Sequence, residues 1–266
     1  MTTNELTTPL MPAAFIGHGT PMNTIESNRY TKAWNEFGAS VPKPHGILAI
    51  SAHWYANATL VTAMPNPRTI HDFYGFPREL HEFNYPAPGL PELAHEVAEV
   101  IKPDWVGMDE DGWGIDHGTW SVLAHVFPKA DIPVVQLSIN AFKGMDYHME
   151  LAKKLNVLRR RGILIIGSGN VVHNLRAIDF SIADGGYDWA QSFDEKAQEI
   201  MLSEPGNVMN LMKEKEFRHS VPTPDHFIPL LYIAALAETE GQTPEKFAVG
   251  YQAGSVSMTS YQLAGA

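Results

Sequence analysis

Five short stretches of the chain are apolar almost without interruption: AAFIG (13–17), GILAIS (46–51), TLVTAM (59–64), IPVVQLSI (132–139) and GILIIG (162–167). A strand wetted on one face alternates apolar and polar residues, so continuous runs of this length predict strands covered on both faces. Between them the spacing turns helical. NRYTKAWNEFG (28–38) ends on glycine, PELAHEVAEVIK (91–102) opens on Pro91 and stops before Pro103, and MDYHMELAKKLNVLRRR (145–161) carries Leu151, Leu155 and Leu158 on one face. Helices are also expected at 188–202 and 225–240, and the tail segments KFAVGYQ and SVSMTSYQL read as strands joined through Gly254, as a hairpin or an edge addition. Strand, helix and strand across 132–167 form a βαβ unit, whose strands run parallel. With no repeat, low-complexity tract or polar linker, the 266 residues are read as one domain, 1–266. The expected fold class is α/β, a central mostly parallel or mixed sheet with helices on both faces.

Three of the apolar runs finish beside a histidine: His18 after AAFIG, His53 after GILAIS, and His173 past GILIIG. In an open parallel sheet, ligands bind outside the carboxyl ends of the strands, where these three fall. Small residues flank them (Gly17 and Gly19, Ser51 and Ala52, Gly167 and Gly169), so the backbone can turn sharply and come close to a ligand. The bland alternative is three histidines bonded to loop carbonyls. The chain has no cysteine, which excludes disulfides, thiolate nucleophiles and Cys-based metal sites; a metal here must be held by His, Asp or Glu.

Two more segments join the set. In VPTPDHFIPLLYI, Asp225 can cap the following helix and leave His226 as a ligand; the reverse gives two histidines and one carboxylate, and the first is favoured. In WGIDHGTWSVL, His117 opens a helix beside Asp116, a placement suited to moving protons near neutral pH. His45, His81, His95, His125, His148 and His219 follow no pattern and read as ordinary. GSGNVV lacks the third glycine of a dinucleotide loop, and Ile166 breaks the glycine pattern that would make Ser168 a nucleophile.

Charge narrows the partners. Nineteen basic residues against 30 acidic give a net charge of −11, which repels nucleic acid and anionic membranes. The basic triplet Arg159–Arg161 falls at a helix end and reads as structural. No window is long and apolar enough to span a bilayer, and the first twelve residues lack the pattern of a secretory signal. A cytoplasmic protein is expected, monomeric or weakly homo-oligomeric, with neither nucleic-acid nor membrane partner.

FIGHGTPMN, SAHW, TIHDFYGFP, YPAPG, WGIDHGTW, GSGNVVHNLR and PTPDHFIPLLY occur in this order along most of the chain. Together they resemble the 4,5-DOPA extradiol dioxygenase family, within the class III (LigB-like) extradiol ring-cleavage group. The resemblance implies a metal at the C-terminal ends of the strands, with His18, His53 and His226 as ligands. It implies His173 as a fourth ligand or substrate contact, and His117 as acid/base partner. It further implies Fe(II) for activity, with Zn(II) able to fill the same site, and a small-molecule catechol such as DOPA with O2 as substrates. The wider group uses two histidines and a glutamate, whereas the third position here reads as His226 beside Asp225. His71, Asp72 and Phe73 to Phe76, in the long loop 65–90, either close over the substrate ring or form a well-packed surface excursion. A zinc hydrolase using the same histidines and a non-catalytic metal-binding protein are the alternatives.

Overall fold

The computed structural model describes residues 10–182 and 184–265. Eight strands form one mixed sheet: β1 (Ala13–Gly17), β2 (Gly46–Ala56), β3 (Leu60–Thr62), β4 (Gly107–Asp109), β5 (Val134–Asn140), β6 (Ile163–Gly169), β7 (Glu245–Ala248) and β10 (Ser260–Leu263). A small hairpin pairs β8 (Tyr251–Gln252) with β9 (Val256–Ser257). The sheet order is β4-β3-β5-β2-β6-β1-β10-β7. Its four central strands, β5, β2, β6 and β1, are mutually parallel, and antiparallel neighbours enter on both sides. β5 and β6, the strands of the βαβ unit, run parallel with β2 between them.

Why the central strands are apolar throughout follows from what covers them. Successive residues of β6, Ile163, Leu164, Ile165 and Ile166, enter two different hydrophobic clusters in alternation. One face is packed by α1 (Arg29–Ser40) and α4 (His117–Val126). The other is packed by α3 (Pro91–Ile101), α5 (Met145–Leu155), α6 (Asp188–Met201) and α8 (Ile228–Glu240). α8 is buried from Ile228 to Ala237, as expected of a helix apolar all round. Two short helices, α2 (Arg78–Glu82) and α7 (Phe217–Ser220), lie in connections.

Several expectations are corrected. α1 runs through Gly38, because a side chain there would strike the carbonyl of Val126 on α4; the glycine permits close helix packing. The expected helix 145–161 is α5 followed by a 3-10 segment, which ends on left-handed Gly162. The expected strand 59–64 shrinks to three residues, and β4 had no apolar run to announce it. Of the two expectations for the tail, the edge addition holds: β7 and β10 pair antiparallel and extend the main sheet, while Gly254 lies in the β8–β9 turn. Among the described residues, no helix is long and apolar enough to cross a membrane.

His148 is a core histidine. It lies fully buried on α5, its Nδ1 3.0 Å from the Tyr232 hydroxyl and its Nε2 3.3 Å from the Asn140 carbonyl. Burial pushes its pKa down to about 4. The unfolded chain therefore binds a proton that the folded chain refuses, so this stability is present above about pH 6.5 and is lost as pH falls toward 4. Between pH 7 and pH 5 the loss from this group is about 2 kcal/mol. In urea unfolding, His148→Gln should lose about that much less than the wild type over the same pH interval. Equal losses would assign the acid sensitivity elsewhere.

Candidate metal centre and active site

The carboxyl ends of β1, β2 and β6 meet at one edge of the sheet. Gly17 pairs with Gly169, and the backbone N–H of His18 donates to the Gly169 carbonyl at 3.1 Å. β2 continues past its last regular pair, Ile50, with a register shift before Tyr55, and His53 lies in that irregular stretch. His117 is the first residue of α4, and His226 precedes α8. A side chain at Gly169 would collide with the His226 carbonyl, so this strand end must be glycine for the α8 entry to approach.

These elements bring four imidazoles together. Ring centroids of His18 lie 5.0 Å from His53, 5.9 Å from His117 and 5.3 Å from His226. His53 and His226 are 5.0 Å apart, and the Nε2 atoms of His18 and His53 face each other at 3.2 Å. Ligand atoms of His18, His53 and His117 all lie within 4.8 Å of one another. His173 stacks on His226, centroids 3.4 Å apart and planes 5° from parallel.

The outward nitrogens have partners. Ser168 donates its hydroxyl to the Gly118 carbonyl at 2.5 Å, so the 3.0 Å contact with His18 runs from His18 Nδ1–H to Ser168 Oγ. His226 Nδ1 donates to Asp225. Asp225 is thus no helix cap: the cap position of α8 is Phe227, with no side-chain bond, and Asp225 orients the ring beside it. Asp72 reaches in from the long loop, Oδ2 3.1 Å from His53 Nδ1 and Oδ1 2.8 Å from His117 Nδ1. The Nε2 of His226 is buried with no hydrogen-bond partner among the described residues. Leaving such an atom unpaired costs on the order of 1–3 kcal/mol, and a cation bound there removes the cost.

Electrostatics favour neutral rings. Burial, followed by the charge of His53, holds His18 well below its ordinary pKa; burial and then His173 do the same for His226. Burial also lowers His117 and pushes His173 down to about 4. His53 is the exception. Burial lowers it, but the Asp72 hydrogen bond and the charges of Asp116, Asp72 and Asp225 raise it further. Asp72 itself is disfavoured as an anion by burial, yet hydrogen bonds from His117 and His53 hold it far below the usual carboxylate range. Neutral imidazole is the form that binds metal.

The carboxylate partner of His117 is Asp72, not the adjacent Asp116. Asp116 caps α4 and receives Ser51 Oγ and Gln136 Nε2, both at 2.7 Å. The loop around Asp72 is packed down rather than poised to move: Phe73 is buried with its ring edge-on to His117 at 5.4 Å, and His71 Nε2 donates to the Phe83 carbonyl at 2.8 Å. Of this run Tyr74 and Gly75 are exposed, Tyr74 at 94%. Sequence reasoning missed the Asp72 contacts. An aspartate set among aromatics must find donors when buried, and that was the available signal.

A family profile described as "Catalytic LigB subunit of aromatic ring-opening dioxygenase" matches residues 12–263. The chain belongs to this family. Its LigB relatives include the 4,5-DOPA dioxygenase extradiol of Escherichia coli (strain K12), 45% identical over 95% of this chain and 94% of that protein. The 4,5-DOPA dioxygenase extradiol of Beta vulgaris is 35% identical over 94% of this chain and 95% of its own. A crystal structure of an uncharacterized Escherichia coli K12 protein superposes with a TM-score of 0.83 at 40% identity, covering 96% of this chain and all of that one. LigB dioxygenases use a metal, and the histidine cluster of this LigB chain has the donors for one. The family assignment makes the chain an aromatic ring-opening dioxygenase, an oxidoreductase acting on a small molecule with O2.

Proposed function

We propose that the protein is an extradiol dioxygenase that opens a catechol bearing a polar side chain, DOPA being the type case, with Fe(II) as the active metal. The observation that carries this reading is the bare, buried Nε2 of His226 beside His18 and His53, in a chain of this family. His18, His53 and His226 would hold the ion. When bound, the metal acts as a Lewis acid that acidifies the catechol hydroxyls and gathers catechol and O2 at one centre. Three imidazole donors also suit zinc, which lacks redox chemistry, so Zn(II) can fill the site without supporting turnover.

His173 is assigned to the substrate side. An imidazole donates its nitrogen lone pair within the plane of its ring. The parallel rings of His173 and His226, 3.4 Å apart, direct their lone pairs in separate planes, which supports His173 as a substrate contact and not as a fourth ligand. His117 carries protons: its Nδ1 is held by Asp72, which leaves Nε2 to accept a catechol proton and return it as the ring opens. Phe73 supports the His117 ring from its edge. The acidic balance of the chain, −11, and its length in a single domain 1–266 support a cytoplasmic protein, monomeric or weakly homo-oligomeric, without nucleic-acid or membrane partners.

The test is reconstitution of metal-free protein under anaerobic conditions with Fe(II) or Zn(II), then addition of L-DOPA and O2. Iron-dependent O2 uptake with a yellow ring-opened product is expected, and His117→Ala should lower the rate roughly 10²–10⁴-fold. Stoichiometric iron binding without O2 uptake would sink DOPA cleavage.

A further inference from the structure

We propose that Asp72 is the positioning residue of the site, a single carboxylate that sets the tautomer of a metal-binding ring and of the proton-carrying ring together. Oδ2 faces His53 Nδ1 at 3.1 Å. Oδ1 accepts twice, from His117 Nδ1 at 2.8 Å and from the His117 backbone N–H at 3.1 Å. An ionised carboxylate can only accept, so both rings must carry a proton on Nδ1, and each ring in its neutral, metal-binding form then presents an unprotonated Nε2. His18 and His226 reach the same tautomer through separate partners, Ser168 and Asp225. His53 and His117 alone share one.

The segment that carries Asp72 is anchored to the start of α4. Ile70 N–H donates to the Ile115 carbonyl at 2.7 Å, Ile115 N–H to the Arg68 carbonyl at 2.8 Å, and Trp120 Nε1 to the Ile70 carbonyl at 2.8 Å. The segment leading into Asp72 is therefore held at the N-terminus of α4 by bonds to its backbone that do not depend on the Asp72 side chain. Its carboxylate is fixed in place for the two rings.

The unequal number of donors on the two oxygens predicts an unequal response to Asp72→Asn. Two N–H groups point at the Oδ1 position, so the amide oxygen must occupy it and the NH2 must turn toward His53. There it donates to His53 Nδ1, which forces the His53 proton onto Nε2 and removes the lone pair that would bind the ion. His117 keeps its Nδ1–H. A substitution in contact with both rings is thus expected to disable the metal side and spare the tautomer of the other.

This inference rests on the proposed function only in taking His53 as a ligand; its readouts use no substrate. Zinc affinity of D72N, measured by chelator competition, should fall roughly 10–100-fold. Affinity within twofold of the wild type overturns the proposal. Should D72N fail to fold, nitrogen-15 spectra of the zinc-loaded wild type decide instead: both His53 and His117 must carry their proton on Nδ1, and an Nε2 proton on either overturns it. A positive result in a wild type that consumes no O2 keeps the assignment of Asp72 and removes the dioxygenase.

Discussion

His18→Ala should yield a folded protein that no longer binds a stoichiometric divalent metal. The ring it removes lies within 6 Å of three other imidazoles, with Nε2 opposite that of His53. The backbone bond that seats this strand end, from His18 N–H to Gly169, survives the substitution. Crowding of buried neutral rings is relieved, so the metal-free protein should unfold close to the wild-type temperature. Elemental analysis after dialysis reads the metal directly. Ser168→Ala is the graded companion: it removes only the acceptor of His18 Nδ1–H and should weaken metal binding roughly 10–100-fold. Full metal occupancy in His18→Ala would take His18 out of the ligand set and leave the cluster to His53, His117 and His226.

Arg159→Ala should be the most damaging change far from the site. The side chain is fully buried at the end of the 3-10 segment before β6. Its Nε donates to the Met11 carbonyl at 2.8 Å and its Nη2 to the Ala264 carbonyl at 3.0 Å. It thereby ties the lead-in of β1 to the end of β10, two strands that pair in the sheet. Truncation leaves the carbonyl of buried Met11 without this donor and opens a cavity the size of a guanidinium, while the Ala264 carbonyl, on an exposed residue, keeps Gln242 Nε2. The expected loss is about 3–5 kcal/mol. In a domain of this size that is a fall in Tm of roughly 10 °C. Arg160→Ala supplies the contrast. Its ion pair with Glu240, at 2.7 Å, is at the surface and should be worth less than about 1 kcal/mol. Equal losses in the two variants would refute the buried tie.

The triplet shows what the sequence disclosed and what it hid. Three arginines at a helix end read correctly as structural, but the reason offered was the helix dipole. Tertiary carbonyls 148 and 105 residues away hold Arg159 instead, and no local pattern announces them. Strands with continuous apolar runs were legible because both faces are packed. β4 was not, since three residues paired only to β3 leave too short a pattern. The same limit governs the site. Histidines at strand ends were conspicuous because a buried strand has no other use for one. Asp72 was not, because its meaning lies in two residues, His53 and His117, that the chain brings to it from either side. Asp225 was misread as a cap for a related reason: the local pattern fits a cap, and only the fold shows the carboxylate turned onto its neighbour's ring.

The cluster draws on β1, the end of β2, the 68–73 segment, the start of α4 and the approach to α8. No short piece of chain contains it, so an unfolded molecule offers scattered histidines and no chelate. A metal that binds there is a ligand of the native state alone, and at a free concentration a hundred times its Kd it adds about 2.7 kcal/mol to stability. Marginal stability governs how much of a protein escapes proteolysis in a cell. Metal scarcity should then appear first as a thinner supply of the protein, not as a standing stock of idle enzyme.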